Sequence, residues 1–368
     1  MRKISLLLVL IIALAGCKDK TKFVLNGNIA NAEKGSMIYL YSFENAEPVP
    51  VDSTFLSDKG DFIFQRAAEN PELFRLILDY NAYMFVAENG DEITLKADAS
   101  DINGAYTLEG SDDAKYINEL NEIKNKNASI LEKIEGEFEE KVAADPENRQ
   151  SILDKFSPNY EKAKQTEDNE IVKFAMDNYK SLVSFYAINL IRQDKNGDQL
   201  IAYADKIKDL FEGNKLVDSF KSNANSMKRI QIGAVAPDFD TYTPSGEKVS
   251  LNSFRGKYVL LEFWASWCQP CRAENPSIVA AYNKYKDKGF TVFGISIDKD
   301  KAAWVEAIKA DGLTWTQGGD GFGFEGPIAK LYMLQATPSS FLLDKEGKII
   351  AKNLRGNELD AFLAKTIK

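Results

Sequence analysis

The residues of this sequence with the clearest chemical potential are Cys268 and Cys271, which are separated by two positions. The chain has three cysteines and no histidine. A structural zinc site needs roughly four Cys or His ligands, so these residues are too few to form one. A disulfide that closes so short a loop adds little conformational stability. The pair is therefore predicted to act in thiol–disulfide exchange, and no metal and no cofactor are expected.

A strand and a helix are predicted on either side of this Cys-x-x-Cys pair. Residues 258–263 form a continuous apolar run except for Glu262, which indicates a buried central strand, and an amphipathic pattern then extends to about Lys288. This order places Cys268 at the start of a helix, where unpaired N–H groups and the helix dipole favour a thiolate. Lowering a thiol pKa by ~2 units corresponds to ~2.7 kcal/mol of preferential thiolate stabilisation. We expect Cys268 to attack and Cys271, one turn behind and more enclosed, to resolve the intermediate.

Glu262 is the next candidate catalytic residue. A carboxylate inside an apolar strand loses its hydration, so burial is expected to raise its pKa. With a raised pKa, the carboxylate is suited to accept the proton of the resolving thiol, Cys271. The alternative is an edge position at which the side chain points to solvent and takes no part in catalysis.

The stretch around the two cysteines resembles the thioredoxin signature. Glu262 stands where thioredoxins carry a buried aspartate, and Trp264 and Trp267 occupy the two tryptophan positions. The closer similarity is to the TlpA/ResA-like, membrane-tethered thioredoxins, and it covers residues 233–368. It implies a C-terminal α/β thioredoxin fold with a central mixed sheet. The lysine that accompanies the buried acid in thioredoxin aligns with Gly294, so the proton path is expected to differ.

A second part of this resemblance lies downstream. Thr337-Pro338, followed by an apolar run over residues 339–343, looks like the family's cis-proline loop and next strand. A cis peptide is essentially restricted to X–Pro bonds. In thioredoxin folds this loop lies against the dithiol and exposes backbone to an extended substrate. The resemblance therefore implies these substrate-binding residues: Trp267, Gln269, Pro270, Thr337 and Pro338.

The N-terminus is predicted to be a targeting signal. Arg2 and Lys3 precede an apolar stretch over residues 4–15, which is shorter than the ~20 residues that span a bilayer. The stretch ends in Leu-Ala-Gly-Cys at Cys17, which resembles a bacterial lipobox. The resemblance implies cleavage before Cys17 and attachment of lipid to it, with residues 1–16 as signal peptide and 17–22 as a lipidated tether. The alternative is an ordinary signal peptide with a chance cysteine.

The predicted anchor also bears on location. The lipobox resemblance places the protein in the cell envelope, lipid-anchored and facing the periplasm. Lys18 follows the lipidated cysteine, where an aspartate retains lipoproteins in some inner membranes. This difference favours the outer over the inner membrane.

Residues 23–110 are predicted to form a small antiparallel β domain. They contain short, near-alternating apolar runs that are separated by turn residues. This layout resembles the β-rich domain of unknown function that precedes thioredoxin domains in many Bacteroidota lipoproteins.

Residues 111–230 are predicted to form an α-helical segment, because the apolar period changes to that of a helix. The acidic run over residues 135–140 indicates a solvated helix face, and a peptide-docking groove in this segment is the alternative. Four or five helices are expected from three breaks, at Asp145-Pro146, Ser157-Pro158 and Asn196-Gly197-Asp198.

The charge of the chain limits its partners. With a formal net charge of −9, the chain has no basic surplus to neutralise phosphates, so nucleic acid is not expected as a partner. It also gains little from anionic lipid headgroups, which makes a covalent lipid on Cys17 the expected means of membrane attachment. The expected protein partners are disulfide-containing envelope proteins and a membrane thiol reductant that regenerates the dithiol.

Two other functions are weighed against disulfide reduction. A peroxiredoxin-like thiol peroxidase would have a proline and a threonine or serine at fixed positions before its cysteine, where this chain has Leu261 and Ala265. A non-enzymatic binding lipoprotein with an accessory redox domain is the other alternative. The run Gly321–Gly326 matches G-x-G-x-x-G, but it does not follow the first strand of a βαβ unit, so dinucleotide binding is not expected. A mobile insert near the rim of the dithiol site is predicted there instead.

Overall fold

The computed structural model of the chain describes residues 20–43, 47–101 and 103–367. The predicted signal peptide and Cys17 lie outside these residues. The chain divides into two compact units at the boundary between Lys221 and Ser222, and each is described by itself. Among the described residues, no helix combines the length and the apolar composition that crossing a bilayer would require.

The first unit begins with a β domain whose described strands form two four-stranded sheets. The strands are β1 (Phe23–Ala30), β2 (Met37–Ser42), β3 (Val49–Phe55), β4 (Asp61–Arg66), β5 (Glu72–Leu78), β6 (Asn81–Ala87), β7 (Glu92–Asp98) and β8 (Tyr106–Glu109). The strand orders are β4-β1-β7-β8 and β3-β2-β5-β6. Buried side chains of the two sheets meet between them, and the ring centroids of Phe23 in β1 and Phe74 in β5 are 4.9 Å apart.

The prediction of an antiparallel β domain is wrong for one pair of strands. β1 pairs in parallel with β7, from Val24 opposite Glu92 to Ala30 opposite Asp98, whereas the other described pairs of this domain are antiparallel. A parallel pair needs a long crossover, and local turn signals do not reveal one. The apolar runs in the sequence also do not predict three of the strands, β3, β6 and β8. β3 is largely exposed, so it lacks the alternating apolar pattern of a half-buried strand.

Five α-helices follow in the described residues, within the predicted number. They are α1 (Asp112–Ala144), α2 (Arg149–Asp177), α3 (Leu182–Ile188), α4 (Gly197–Lys206) and α5 (Lys215–Arg229). The hydroxyl of Ser111 accepts a hydrogen bond from the N–H of Ala114 and caps the start of α1, which ends at Ala144, at the predicted break. The acidic side chains between Glu135 and Glu140 are exposed on α1, as expected for a solvated face.

The predicted break at Ser157-Pro158 is wrong, because Pro158 lies inside α2. A proline within a helix removes one backbone hydrogen bond and disturbs the preceding turn. Apolar packing continues on both sides of it: the ring of Phe156 lies 5.8 Å from that of Phe138 on α1, and Ile171 and Phe174 are buried further along α2. Tertiary packing therefore outweighs the local preference of proline for a helix end.

The second unit has the predicted α/β thioredoxin fold. Its elements are β9 (Asp240–Tyr242), β10 (Lys248–Ser250), β11 (Tyr258–Trp264), α6 (Gln269–Tyr285), β12 (Phe290–Ser296), α7 (Lys301–Ala310), β13 (Thr316–Gly319), α8 (Pro327–Leu331), β14 (Ser339–Leu343), β15 (Ile349–Lys352) and α9 (Gly356–Thr366). The seven strands form a mixed sheet in the order β10-β9-β13-β12-β11-β14-β15. β11, β12 and β13 are parallel, and β14 is antiparallel to β11.

Apolar layers cover both faces of this sheet. Leu260 and Trp264 of β11 belong to a buried cluster that also contains both cysteines and residues of α6 and α9. Leu261 and Phe263 point to the other face and pack with Tyr332 and its neighbours. β11 is thus an interior strand that is buried on both sides, as the continuous apolar run predicts.

Candidate active site

The dithiol lies at the start of α6. Cys268 is the residue that caps this helix, and its Sγ accepts a hydrogen bond of 3.2 Å from the N–H of Cys271. The two residues form a disulfide, with their Cα atoms 5.3 Å apart. Pro270 occupies the first turn, where its missing N–H would have no partner within the helix. In the reduced protein, a thiolate on Cys268 would keep the Cys271 N–H as a donor and face the positive end of the helix dipole.

The exposures of the two cysteines follow the predicted order but differ little. Cys268 is 4% exposed and Cys271 is 1% exposed. The neighbouring Trp267 is 56% exposed, and Gln269 and Pro270 are exposed as well. The residues on both sides of Cys268 in the chain are therefore exposed, although its own sulfur is largely covered.

A buried aspartate fixes the loop that leads into the dithiol. Asp298 accepts hydrogen bonds from the N–H of Ser266 at 2.9 Å and from its hydroxyl at 2.6 Å. The hydroxyl of Ser296, at the end of β12, donates a third bond of 2.7 Å to the same carboxylate. This aspartate was not predicted; the available signal was an acidic residue two positions after an apolar strand.

Arg272 fixes the dithiol from the other side. Its guanidinium donates hydrogen bonds to the carboxylate of Asp311, and its Nη1 donates one of 3.1 Å to the backbone oxygen of Ser266. Asn275 donates to the same carboxylate. The first turns of α6 are thereby tied to Ser266 in the loop before it and to Asp311, which restrains the start of the helix that carries the dithiol.

Glu262 lies on β11 between β12 and β14, and it is 3% exposed. The edge-strand alternative is therefore wrong. Burial raises the pKa of Glu262 to about 8, because the carboxylate has lost its water, and the positive charge of Arg355 opposes this rise. Its side chain is on the same face of the sheet as Leu260 and Trp264, which is the face that packs against α6 and the cysteines.

The partner of Glu262 is an arginine that the sequence did not reveal. Nη1 of Arg355 lies 3.3 Å and 3.4 Å from the two carboxylate oxygens of Glu262, and it also donates a bond of 3.2 Å to the hydroxyl of Ser340. Ser340 is the residue of β14 opposite Glu262. Arg355 caps α9 and follows Glu262 by 93 positions, so no local pattern connects them.

Gly294 stands where thioredoxin has the lysine that accompanies its buried acid, and the space beside Gly294 is occupied by the side chain of Gln317. Gly294 lies on β12 opposite Glu262, and a Cβ atom on it would come within 2.4 Å of Oε1 of Gln317. This oxygen accepts a hydrogen bond of 3.0 Å from the indole N–H of Trp264. A side chain at residue 294 would displace Gln317, so the counter-charge of Glu262 comes from α9 instead of β12.

α6 and α9 are connected directly. Oε1 of Glu274, one turn after Cys271 on α6, accepts a hydrogen bond of 2.8 Å from the N–H of Gly356, the first residue of α9. The negative charge of Glu274 also contributes to the raised pKa of Glu262. The helix that carries the dithiol and the helix that carries the arginine therefore share one electrostatic environment.

The Thr337–Pro338 peptide bond is cis, as the resemblance implies. Pro338 leads into β14, and Ser339 pairs with Phe263, next to the end of β11 from which the dithiol loop emerges. The proline loop and the dithiol loop therefore lie at the same edge of the sheet. Met333, a little upstream, has a φ of +51°, a conformation that glycine would adopt with less strain.

The described residues contain no group of three or more Cys, Asp or Glu side chains arranged to hold a metal ion. The groups near the dithiol that can react or carry charge include the disulfide pair itself, the buried carboxylate of Glu262 with Arg355, and the buried carboxylate of Asp298, which is held by Ser266 and Ser296. This set is suited to thiol–disulfide exchange with proton transfer.

Comparison with known proteins gives two family matches. Residues 232–352 match the AhpC/TSA family, and residues 23–116 match a domain of unknown function, DUF4369. The thiol-disulfide oxidoreductase ResA of Bacillus thuringiensis subsp. konkukian is 34% identical over 141 residues, which are 38% of this chain and 79% of ResA. ResA of Bacillus anthracis is 32% identical over 142 residues, which are 38% of this chain and 80% of the relative.

A solved structure is also similar to this chain. The thioredoxin domain of a thiol-disulfide oxidoreductase from Bacteroides vulgatus is 39% identical, with a TM-score of 0.36; the match covers 38% of this chain and 99% of that domain.

Proposed function

Because the chain belongs to the ResA-like thiol-disulfide oxidoreductases of the AhpC/TSA family, we propose that it reduces disulfide bonds of exported proteins through Cys268 and Cys271. The observation that carries this proposal is the position of the pair. The two sulfurs are joined at the start of α6, next to the exposed Trp267 and at the sheet edge where the cis-proline loop begins. At this place an extended substrate can present a disulfide to the sulfur of Cys268.

The reaction has two exchange steps. The thiolate of Cys268 attacks one sulfur of the substrate disulfide, so that the substrate S–S bond breaks, a mixed disulfide forms and one substrate thiolate leaves. Cys271 then gives up its proton and attacks the sulfur of Cys268. The mixed disulfide breaks, the Cys268–Cys271 bond forms, and the second substrate thiol is released. Two electrons have moved from the protein to the substrate, and a membrane thiol reductant has to return them.

Glu262 is proposed to accept the proton that Cys271 loses in the second step. It is buried on the side of the sheet that packs against the dithiol, and a pKa of about 8 lies close to that of an ordinary thiol, ~8.5. Proton transfer between groups of similar pKa needs little driving force in either direction. Arg355 is proposed as a positioning residue, which holds the carboxylate and favours its charged form.

The first test compares reaction types. We expect the reduced protein to reduce the disulfide of a short peptide much faster than it consumes hydrogen peroxide, because Leu261 and Ala265 stand where a peroxiredoxin has its proline and its threonine or serine. Equilibration with glutathione should give a reduction potential nearer the roughly −270 mV of a reducing thioredoxin than the roughly −120 mV of an oxidising periplasmic homologue. Reduced protein that has been alkylated on both cysteines is the control. Faster peroxide consumption, or an oxidising potential, would contradict the proposal.

We further propose that the protein works in the cell envelope, held by lipid on Cys17. The lipobox-like Leu-Ala-Gly-Cys supports this, as does the cysteine inventory, since the two remaining thiols are the redox pair. Substrates then meet the dithiol outside the cytoplasm, where disulfides form and persist.

The anchor has its own test. Expressed in a bacterium with its own leader, the protein is expected to enter the detergent phase of a phase separation, and Cys17→Ser to shift it to the aqueous phase or leave the leader uncleaved. The Cys271→Ala variant, which keeps the lipobox, should partition like the unaltered protein. Unchanged partitioning of Cys17→Ser together with normal cleavage of the leader would contradict lipid attachment at this residue.

A further inference from the structure

Four loops meet at one edge of the thioredoxin sheet. β11, β12 and β13 are parallel and in register there, with Trp264 opposite Ser296 and Ser296 opposite Gly319. The loops that follow these three strands therefore emerge together, as carboxyl ends of parallel strands do. β14 runs the other way and begins at this edge after Pro338. The loop after β13, residues 320–326, therefore emerges at the same edge as the dithiol loop, with β12 lying between β13 and β11 in the sheet.

The backbone of the 320–326 loop has a defined shape. Oδ1 of Asp320 accepts a hydrogen bond of 3.0 Å from the N–H of Phe322, and the N–H of Gly326 donates one of 3.1 Å to the oxygen of Gly323. Gly321 and Gly323 have φ values of +77° and +66°, which side chains rarely adopt. These turns set the direction in which the two phenylalanines of the loop project.

Phe324 connects this loop to the dithiol, and Phe322 is exposed two residues before it. Phe324 packs against the buried cluster that contains Cys268 and Cys271, and its ring centroid is 6.5 Å from that of Trp267. Phe322, two residues before it, is 62% exposed, and Trp267 is 56% exposed. The contact between Phe324 and Trp267 brings the 320–326 loop, with its exposed Phe322, to the side of the dithiol. Exposed aromatic surface beside a reactive site is typical of a surface that binds an apolar group.

We infer that Trp267, Phe322 and Phe324 form an aromatic rim that binds an apolar side chain of the substrate close to its reactive cysteine. The inference rests on the proposed function and narrows its substrate class. The preferred substrates are unfolded or extended protein segments with an aromatic or large aliphatic residue near the disulfide. The substrate chain itself is the expected occupant of this rim, because a chain that presents a sulfur to Cys268 has to cross the surface beside Trp267.

The test uses three disulfides that differ only in what surrounds the sulfur. Two are short peptides in mixed disulfide with glutathione, one with leucine and phenylalanine beside the cysteine and the other with serine at both positions. The third is oxidised glutathione. We expect kcat/KM for the apolar peptide to exceed that for the serine peptide by about tenfold. Phe322→Ser should remove most of this preference, whereas Phe322→Leu should retain it, and the rates with the serine peptide should change less than about twofold.

Val235→Ser is the matched control. Val235 is 54% exposed, and it bridges to Lys348, beside the β14–β15 turn at the opposite end of β14 from Pro338. Its replacement should leave the preference unchanged. Equal kcat/KM for the two peptides with the unaltered protein, or an equal loss for both in Phe322→Ser, would overturn the rim. If none of the three disulfides is reduced, the proposed function itself fails and the rim with it.

Discussion

Replacing Cys271 by alanine is expected to stop the reaction after its first step and to leave substrates bound to Cys268. Without the second sulfur, the mixed disulfide has no internal nucleophile, so it persists until an external thiol arrives. Turnover should fall at least ~100-fold, because release then depends on a bimolecular step instead of a neighbouring group. The attached chains can be separated by electrophoresis without reductant and identified by mass spectrometry, which also tests whether they are exported proteins.

The matched control for this experiment is Cys268→Ala. Cys271 is 1% exposed and lies inside the first turns of α6, so it should form few adducts when Cys268 is absent. Turnover should be lost to the same extent in both variants, although only one accumulates mixed disulfides. Abundant adducts on Cys271 in the Cys268→Ala protein would reverse the assignment of the attacking and resolving residues.

Removing the charge of Arg355 is expected to change the pH dependence of the resolving step. Arg355 lies 3.3 Å from Glu262 and holds down a pKa that burial has raised to about 8. With Arg355→Gln, the pKa of Glu262 should rise further, by about one unit for the loss of a close opposite charge. The carboxylate would then be available only at higher pH. The rate of mixed-disulfide resolution, followed by stopped flow, should reach half of its maximum at a correspondingly higher pH.

Two further variants separate this effect from simple damage to α9. Arg355→Lys retains a positive charge and should lie between the unaltered protein and Arg355→Gln. In a Glu262→Gln background there is no carboxylate to tune, so Arg355→Gln should cause no additional shift. A shift of the same size in that background would mean that Arg355 acts on the thiols by another route.

The same carboxylate makes a prediction for stability. The pKa of Glu262 is raised from 4.5 to about 8, so the folded protein holds this proton more tightly than the unfolded chain does. Its contribution to stability is complete below pH 4.5 and is lost as the pH rises toward 8. The unaltered protein should therefore lose stability relative to Glu262→Gln across this window, as urea unfolding at several pH values would show.

The sequence was most informative where one short stretch determined the structure. The run of β11 and the cysteines after it predict a buried strand, a helix start and a dithiol, and these are what the fold contains. Local signals failed where a distant residue decides the outcome. Pro158 is accommodated because α2 packs on α1 on both sides of it, and β7 joins β1 in parallel through a long connection.

The candidate site divides in the same way. Thr337-Pro338 carries its own signature, and its cis bond agrees with the resemblance. Arg355 carries none: it follows the last strand of the sheet and is separated from Glu262 by most of the domain. Only the sheet register, which places Ser340 beside Glu262, brings the three polar groups together. The roles assigned to these residues stay predictions that the variants above can test.

The hydrogen bond from Gly356 to Glu274 has a consequence for the order in which this enzyme becomes competent. The cysteines are synthesised long before α9, whereas Arg355, which we propose tunes their proton acceptor, is made only with the residues that begin that helix. A nascent or truncated chain that stops before Arg355 would contain both cysteines but is expected to resolve its mixed disulfides slowly. If the proposed roles hold, such a species should retain its substrates as mixed disulfides, so full turnover is expected only once almost all of the domain has been made.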